Sequence, residues 1–406
     1  MTAIILDPPK VRNRLIDAMT GEGLRLFFPL AALHAALWPL LWVFLWSFGL
    51  PLSSETTPAQ WHAQEMIIGS FGAALIGFLT SALPEWTETP RLHGQPLFVL
   101  AGLWGLARVT GLIGFEPAIV VAALADQGWL LFLLAYVLFL SWRRRTTGLL
   151  GFSALLGALA LSAGGLRLAM LEGDFDAGET AIRFGAFAFL GLLGLALARI
   201  TVPVTNLILD PSETTSPYRP HPGRINLAPG LVGLLLIAEL ADLSEPVRGY
   251  LMVAAGAAFL DRVAEGFVGR EAFKAELGAL WLSSALAGAG LVLAGLSYIG
   301  LPLPFVGALH IMVMGGLGIG VLAVLSIAGL LHTGQPLVFA ASTRVAILLM
   351  LGAVPLRVAP EYAPGLSLPG GQHGLAALCW ALSLALWLKI YLPLLWSSAT
   401  RASESC

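Results

Sequence analysis

The chain is a succession of long apolar runs separated by short polar breaks. A helix needs about 20 apolar residues to cross a bilayer core. Runs of that kind lie near 26–50, 62–84, 95–114, 118–141, 147–171, 180–201, 226–244, 247–268, 276–297, 304–331, 337–357 and 370–396. The pattern predicts an all-α, polytopic transmembrane helix bundle of about twelve spans. The seventh and eighth runs are the weakest, because Glu239, Asp242 and Glu245 crowd their junction. Residues 1–25 read as a cytoplasmic N-terminal segment, 26–396 as one transmembrane domain and 397–406 as a cytoplasmic tail. The longest polar loop, about 206–225, is rich in Pro and Ser and reads as a cytoplasmic connector.

Composition supports the same class. Of 406 residues, 57% are hydrophobic and only 11% charged, too few charges to cover a soluble protein of this length. The 46 glycines suit helices that pack closely in lipid. No basic stripe offers itself to nucleic acid. Cys379 and Cys406 are too few for a disulfide framework. The N-terminus lacks the apolar core and cleavage site of a signal peptide, so it is expected to be retained.

Lys and Arg in the loops set the orientation. With the N-terminus inside, the cytoplasmic segments collect Lys10, Arg12, Arg14, Arg25, Arg91, Arg143–Arg145, Arg219, Arg224, Arg262, Arg270, Lys274 and Arg401. The opposite side has only Arg167, Arg183, Arg248 and Arg357. Both termini are expected in the cytoplasm, as an even number of spans requires.

The histidines are informative by depth. His34 lies about nine residues inside the first run, roughly 14 Å deep and near the midplane. His62 opens the second span on the outer side, His310 lies just inside the tenth, and His373 starts the last. His93, His221 and His332 fall at the cytoplasmic side. The second and tenth spans resemble each other. In both, a Met follows the outer His by four residues (Met66, Met314) and a Gly by ten (Gly72, Gly320). In both, a turn like His-Gly-Gln-Pro-Leu leads into the next span, from His93 and from His332. A parallel internal repeat would put His62 and His310 at one height. Paired imidazoles in an apolar bundle are what a haem iron or a copper requires. One ion cannot take both His310 and His332, which 22 helical residues separate by about 33 Å. The plainer alternative is that histidines at span ends are solvated interfacial side chains. For His34 it is a hydrogen bond to a neighbouring helix.

Other polar residues extend this reading. Glu65 sits one turn below His62, and Glu239 and Asp242 share a helix face. These carboxylates are candidates to relay protons to a buried redox site. Otherwise Glu239 and Asp242 form a charge network with Arg248. Arg199, at the cytoplasmic end of the sixth span, is placed to bind a propionate or an anionic lipid, or simply snorkels to the interface. Arg108 and Arg344 lie inside their spans and need partners. No glycine loop cradles a phosphate, and no CxxCH, Cys cluster or nucleophile motif is present.

Several motifs agree, in order, with a known family. They are Arg25-Leu-Phe-Phe-Pro29, Trp61-His62-Ala-Gln-Glu65-Met66, Gly77-Phe78-Leu79-Thr80 with Pro84, Trp86 and Thr87, and Trp104 with Arg108. Arg199, Pro203, Thr205 and Asn206 follow, then His310 and His332-Thr-Gly-Gln-Pro-Leu337. In these the chain resembles the NnrS family, membrane proteins of denitrifying and related bacteria linked to nitric oxide metabolism. The family is described as haem- and copper-containing, with about twelve spans. Gln64 stands where the family usually has a second His, and Leu280–Ser284 where it often has another. The resemblance thus implies haem more firmly than copper, on His62, His310 and His332, to which this chain adds His34. It implies residence in the bacterial inner membrane, with nitric oxide, lipid and quinol as partners. The implied function is nitric oxide metabolism or nitrosative-stress defence, in its most concrete form quinol-linked NO reduction. Non-enzymatic haem or NO binding, metal homeostasis and secondary transport remain the alternatives.

Overall fold

The computed structural model describes residues 14–48, 57–113, 115–369 and 371–397. The expected N-terminal segment up to residue 13 and the tail from 398 lie outside the described residues. A short helix, Arg14–Met19, precedes the bundle. The long helices are α1 (Gly23–Phe48), α2 (Pro58–Trp86), α3 (Gln95–Ile113), α4 (Glu116–Arg144), α5 (Leu150–Glu172) and α6 (Phe175–Leu209). They continue as α7 (Leu227–Leu240), α8 (Glu245–Val263), α9 (Ala275–Tyr298), α10 (Phe305–Leu331), α11 (Ala341–Tyr362) and α12 (Gly371–Leu395). The chain is an all-α polytopic bundle, with no strand among the described residues.

Local chemistry sets the helix ends. Thr57 caps α2 by accepting from Gln60 N, with Pro58 at the first helical position, where its missing N–H costs nothing. Between α5 and α6, Gly173 takes a left-handed conformation (φ 68°) and Asp174 accepts from Ala177 N at 2.9 Å. That turn is tight enough to make α5 and α6 antiparallel neighbours. Two helices contain π segments, Glu65–Phe71 in α2 and Ile311–Gly318 in α10. Each begins within three residues of a histidine, His62 or His310. A π segment widens the helix locally and re-aims its side chains.

Among the described residues, eleven helices are long and apolar enough to span a membrane. The exception is α8, whose 19 residues include Glu245, Arg248, Asp261 and Arg262. Contacts at one end of the bundle nevertheless show that α8 traverses it. Arg25 Nη1 donates to Leu395 O at 2.9 Å, and its Nη2 to His332 O at 3.1 Å. Arg91 Nη1 and His332 Nδ1 lie 3.3 and 2.9 Å from Glu22 Oε1. The start of α1, the α2–α3 loop, the α10–α11 loop and the end of α12 therefore share one end, called here the Glu22 end. The helices from α3 to α10 leave that end and return to it, so their number of crossings is even and must include α8. Its charges sit at its two ends, where Arg248 meets Glu239 at 3.2 Å and Asp261 meets Arg224 at 2.6 Å. Its middle packs on α9 glycine to glycine. A Cβ on Gly256 would stand 2.7 Å from Gly288 O, and one on Gly288 would stand 2.7 Å from Gly256 O.

Three expectations change. Helix α6 runs eight residues past the expected 201, so the connector begins at Asp210, whose carboxylate accepts from Ser212 and Thr215. Arg167 is not a loop charge but lies within α5, 2% exposed. Arg344 needs no buried partner, because it is exposed in the first turn of α11.

Two outcomes follow. A reporter active only outside the cytoplasm, fused after the end of α12, should stay silent if the arginine-rich end is cytoplasmic, and a strong signal would reverse that orientation. The second concerns Glu22. Burial alone would raise its carboxyl, but the hydrogen bond and charge of His332, then Arg91 and Arg25, hold it below its ordinary 4.5. A depressed acid stabilises the fold above its ordinary value, and that contribution is lost as pH falls through the folded value. Acid-range melting in detergent should show this loss in the native chain and not in Glu22→Gln; identical profiles would refute it.

Candidate functional site

Five helices meet near mid-bundle around a set of buried charges. On α1, His34 is 3% exposed; on α2, Glu65 and Gln64 are fully buried. Arg108 on α3 and Arg167 on α5 are each 2% exposed, and Asp126 on α4 is fully buried. Arg108 donates through Nη1 to Glu65 Oε1 at 2.8 Å and through Nη2 to Asp126 Oδ1. Arg167 donates to Asp126 Oδ2 from Nη2 at 3.0 Å and Nε at 3.3 Å, and its Nη2 lies 3.7 Å from Glu65 Oε1. Trp129 Nε1 and Gln64 Nε2 each donate to Asp126 at 3.1 Å. With His34 neutral, two carboxylates balance two guanidinium groups and the cluster carries no net charge.

His34 closes this cluster on the α1 side. Its Nε2 lies 3.2 Å from Glu65 Oε2 and its Nδ1 2.7 Å from Ser70 Oγ. An ionised carboxylate only accepts, so Nε2 carries the hydrogen and Nδ1 accepts from the Ser70 hydroxyl. The one remaining lone pair, on Nδ1, is then taken up by the Ser70 hydroxyl. Trp38 stacks on the ring at 4.0 Å, and Trp104 meets it edge-on at 5.3 Å while donating to Gly69 O at 2.9 Å.

Beyond α2, toward the end opposite Glu22, lies a cavity of about 870 Å³. His62, His310 and His373 line it together with Met66, Met314 and Arg357. Trp42 touches two of the imidazoles, with ring centroids 4.7 Å from both His62 and His373. His310 Nδ1 contacts Val306 O at 2.7 Å. A carbonyl can only accept, so Nδ1 carries the hydrogen and Nε2 is left with its lone pair. Arg183, Arg357 and Glu179 bring charge to walls that are otherwise mostly apolar, and Arg357 Nη1 pairs with Glu361 Oε1 at 2.8 Å. The π segment of α2 has two faces. Met66, Ile67 and Phe71 line the cavity, while Glu65 and Ser70 point into the charge cluster behind it.

The candidate residues thus fall into separate groups. His62 and His310 come together in one cavity, with His373 beside them. His34 and Glu65 form a pair one layer behind it. His332 lies at the Glu22 end, in contact with Glu22 and 3.8 Å from Glu85. Glu239 and Asp242 meet Arg248, at 3.2 and 3.9 Å, and not the His34 cluster. Arg199 stacks over Trp86 and Phe152, also toward the Glu22 end. Among the described residues, no three His, Cys, Asp or Glu side chains gather closely enough to hold a metal ion. Sequence reasoning missed Asp126, which holds both arginines. The signal was its depth, since an acid about ten residues inside a long apolar helix needs a partner. Gln64 faces Asp126 rather than the cavity.

Fold and site together define a multi-pass helical membrane protein with a histidine-lined cavity at one end. The chain belongs to the NnrS family, whose model, described as NnrS protein, matches residues 18–398. It is a membrane protein family linked to nitric oxide responses. No curated protein and no solved structure matches the chain.

Removing one charge from the cluster leaves an opposite charge buried without compensation, a loss of about 3–5 kcal/mol. Arg108→Met should therefore lower the melting temperature in detergent sharply. Asp126→Leu combined with Arg167→Met should cost less than the two single changes added together. Melting of Arg108→Met at the native temperature would show that the charges do not depend on one another.

Proposed function

We propose that this chain is a haem protein of nitric oxide metabolism, with the haem held in the His62–His310 cavity. The observation that carries the reading is the His310 imidazole, whose Nδ1–H is spent on Val306 O so that Nε2 keeps its lone pair. Ligating histidines are commonly oriented by such a bond from the other ring nitrogen. The rest of the cavity fits the group. Its volume of about 870 Å³ lies within the ~300–1,000 Å³ usual for organic ligands. Trp42, Phe305 and Trp380 give it flat apolar walls, and Arg183 and Arg357 stand there to meet propionates, Arg357 while also paired with Glu361 at 2.8 Å.

Haem iron, when bound, supplies NO binding and one-electron transfer. The chain's own residues orient the group, exclude water from it and place a proton-bearing pair, His34–Glu65, one layer behind. In its most concrete form the reaction takes two NO and one quinol to nitrous oxide, water and quinone. The quinol supplies both electrons and both protons. Residence in the bacterial inner membrane with the arginine-rich end inside belongs to the same reading.

Protein purified in detergent and supplied with haem should show a Soret band at near one haem per chain. His310→Ala should lose most of that occupancy while remaining folded, and His34→Ala should keep it. Stoichiometric NO consumption with a reduced quinol would then establish the enzyme. A chain that takes up no haem, or a His310→Ala variant with an unchanged spectrum, would overturn the assignment.

A further inference from the structure

A second, smaller cleft opens at the Glu22 end, where α2 and α4 finish beside Arg199 of α6. Its volume is about 220 Å³, and Trp86, Glu88, Arg144, Thr146, Gly148 and Arg199 line it. We propose that it is a phosphate-binding site for an anionic ligand presented at the membrane surface.

The arginine at its base is pre-organised. The Arg199 guanidinium lies 4.9 Å from the Trp86 ring and 5.5 Å from that of Phe152, and its Nη2 donates to Gly148 O. Aromatic stacking fixes the plane of the fork, and one carbonyl takes only one of its five N–H groups. Gly148 allows the loop to close on it, since a Cβ there would stand 3.3 Å from both Arg199 Nη2 and Thr146 Oγ1. Thr146 Oγ1 accepts from Gly148 N at 3.1 Å, which leaves its own O–H to donate.

A second cation faces the first. Arg144, in the last turn of α4, donates through Nη2 to Glu88 O. Two guanidinium groups against the exposed Glu88 carboxylate leave the cleft at plus one, with Arg143 and Arg145 exposed beside it. Paired arginines match the oxygens of a phosphate better than a point charge does. The volume falls below the ~300–1,000 Å³ of organic-ligand pockets, so it suits a phosphate group rather than a whole nucleotide. Trp142, 77% exposed on α4 next to these arginines, marks the level of the lipid headgroups. Basic pockets between spans at that level bind anionic headgroups. The ligand is therefore either an anionic phospholipid or a small soluble phosphate, which share this chemistry.

Native mass spectrometry on the full chain in neutral detergent tests the site, with phosphatidylcholine and phosphatidylglycerol offered in equal amounts. The expected result is preferential retention of phosphatidylglycerol. Arg199→Gln and Arg144→Gln should each cut that retention by about tenfold, the loss of a charge-assisted hydrogen bond. Arg143→Gln, which removes an equal charge just outside the cleft, should not. Inorganic phosphate that binds the chain through Arg199 and Arg144 without any lipid preference would assign the site to a soluble phosphate. Arg144 is exposed, so its variant carries the test should Arg199→Gln fail to fold. Equal retention of both lipids with no phosphate binding, or an Arg143→Gln effect as large as that of Arg199→Gln, would overturn the proposal.

Discussion

Glu65, Arg108, Asp126 and Arg167 are buried together because none of them can be buried alone. Moving one such ion from water into a medium of low dielectric constant costs of order 20 kcal/mol in the idealised limit, and several after relaxation. The whole stability of a folded domain is only about 5–15 kcal/mol. Each charge comes from a different helix, and His34 adds a fifth helix through Glu65. The positions of α1 to α5 therefore depend on one another. Such a cluster is a weak source of net stability, since apolar side chains of equal volume often do as well. What it supplies is register. A helix slid by one residue moves about 1.5 Å, enough to break contacts held at 2.8–3.3 Å.

Around the second π segment, in α10, close packing takes the place of the charge cluster. The π segment of α10 repeats that of α2, but small residues pack where the first has ions. A Cβ on Gly316 would stand 2.7 Å from Ala287 Cα, so the helices nearly touch. Both π segments leave a glycine carbonyl for a neighbour to satisfy. Trp104 Nε1 donates to Gly69 O at 2.9 Å, and Ser283 Oγ to Gly316 O at 2.7 Å. Widened turns in α2 and α10 are thus pinned by side chains from α3 and α9. This explains how His62 and His310, far apart in sequence, come to face one cavity.

Much of the architecture was legible because lipid imposes long apolar runs on every span. The one helix that composition obscures is α8, whose charges sit at its ends. Chain parity, not hydropathy, shows that it crosses the bundle. The pairing of His62 with His310 was legible from the repeated Met and Gly spacings. The partners of Arg108 were not, because spacing along one helix says nothing about which residue a neighbouring helix offers at the same depth. Asp126 and Arg167 could be matched to Arg108 and Glu65 only once the helix order in space was known. Gln64 shows the same limit. A changed letter in a histidine motif reads as a lost ligand, whereas its side chain points to Asp126 and away from the cavity.

The cavity walls are consequently of two kinds. Its α1 and α2 side is backed by the buried charges of Glu65, Arg108, Asp126 and Arg167, whose hydrogen bonds fix the depth of each helix. Its α10 to α12 side is held by van der Waals packing, about 0.1–0.2 kcal/mol per atom pair, with a few hydrogen bonds such as Trp380 Nε1 to Ala35 O at 3.0 Å. Two of the imidazoles that line the cavity thus stand on walls held in different ways, His62 on the helix locked by the charge cluster and His310 on the helix packed through its glycines.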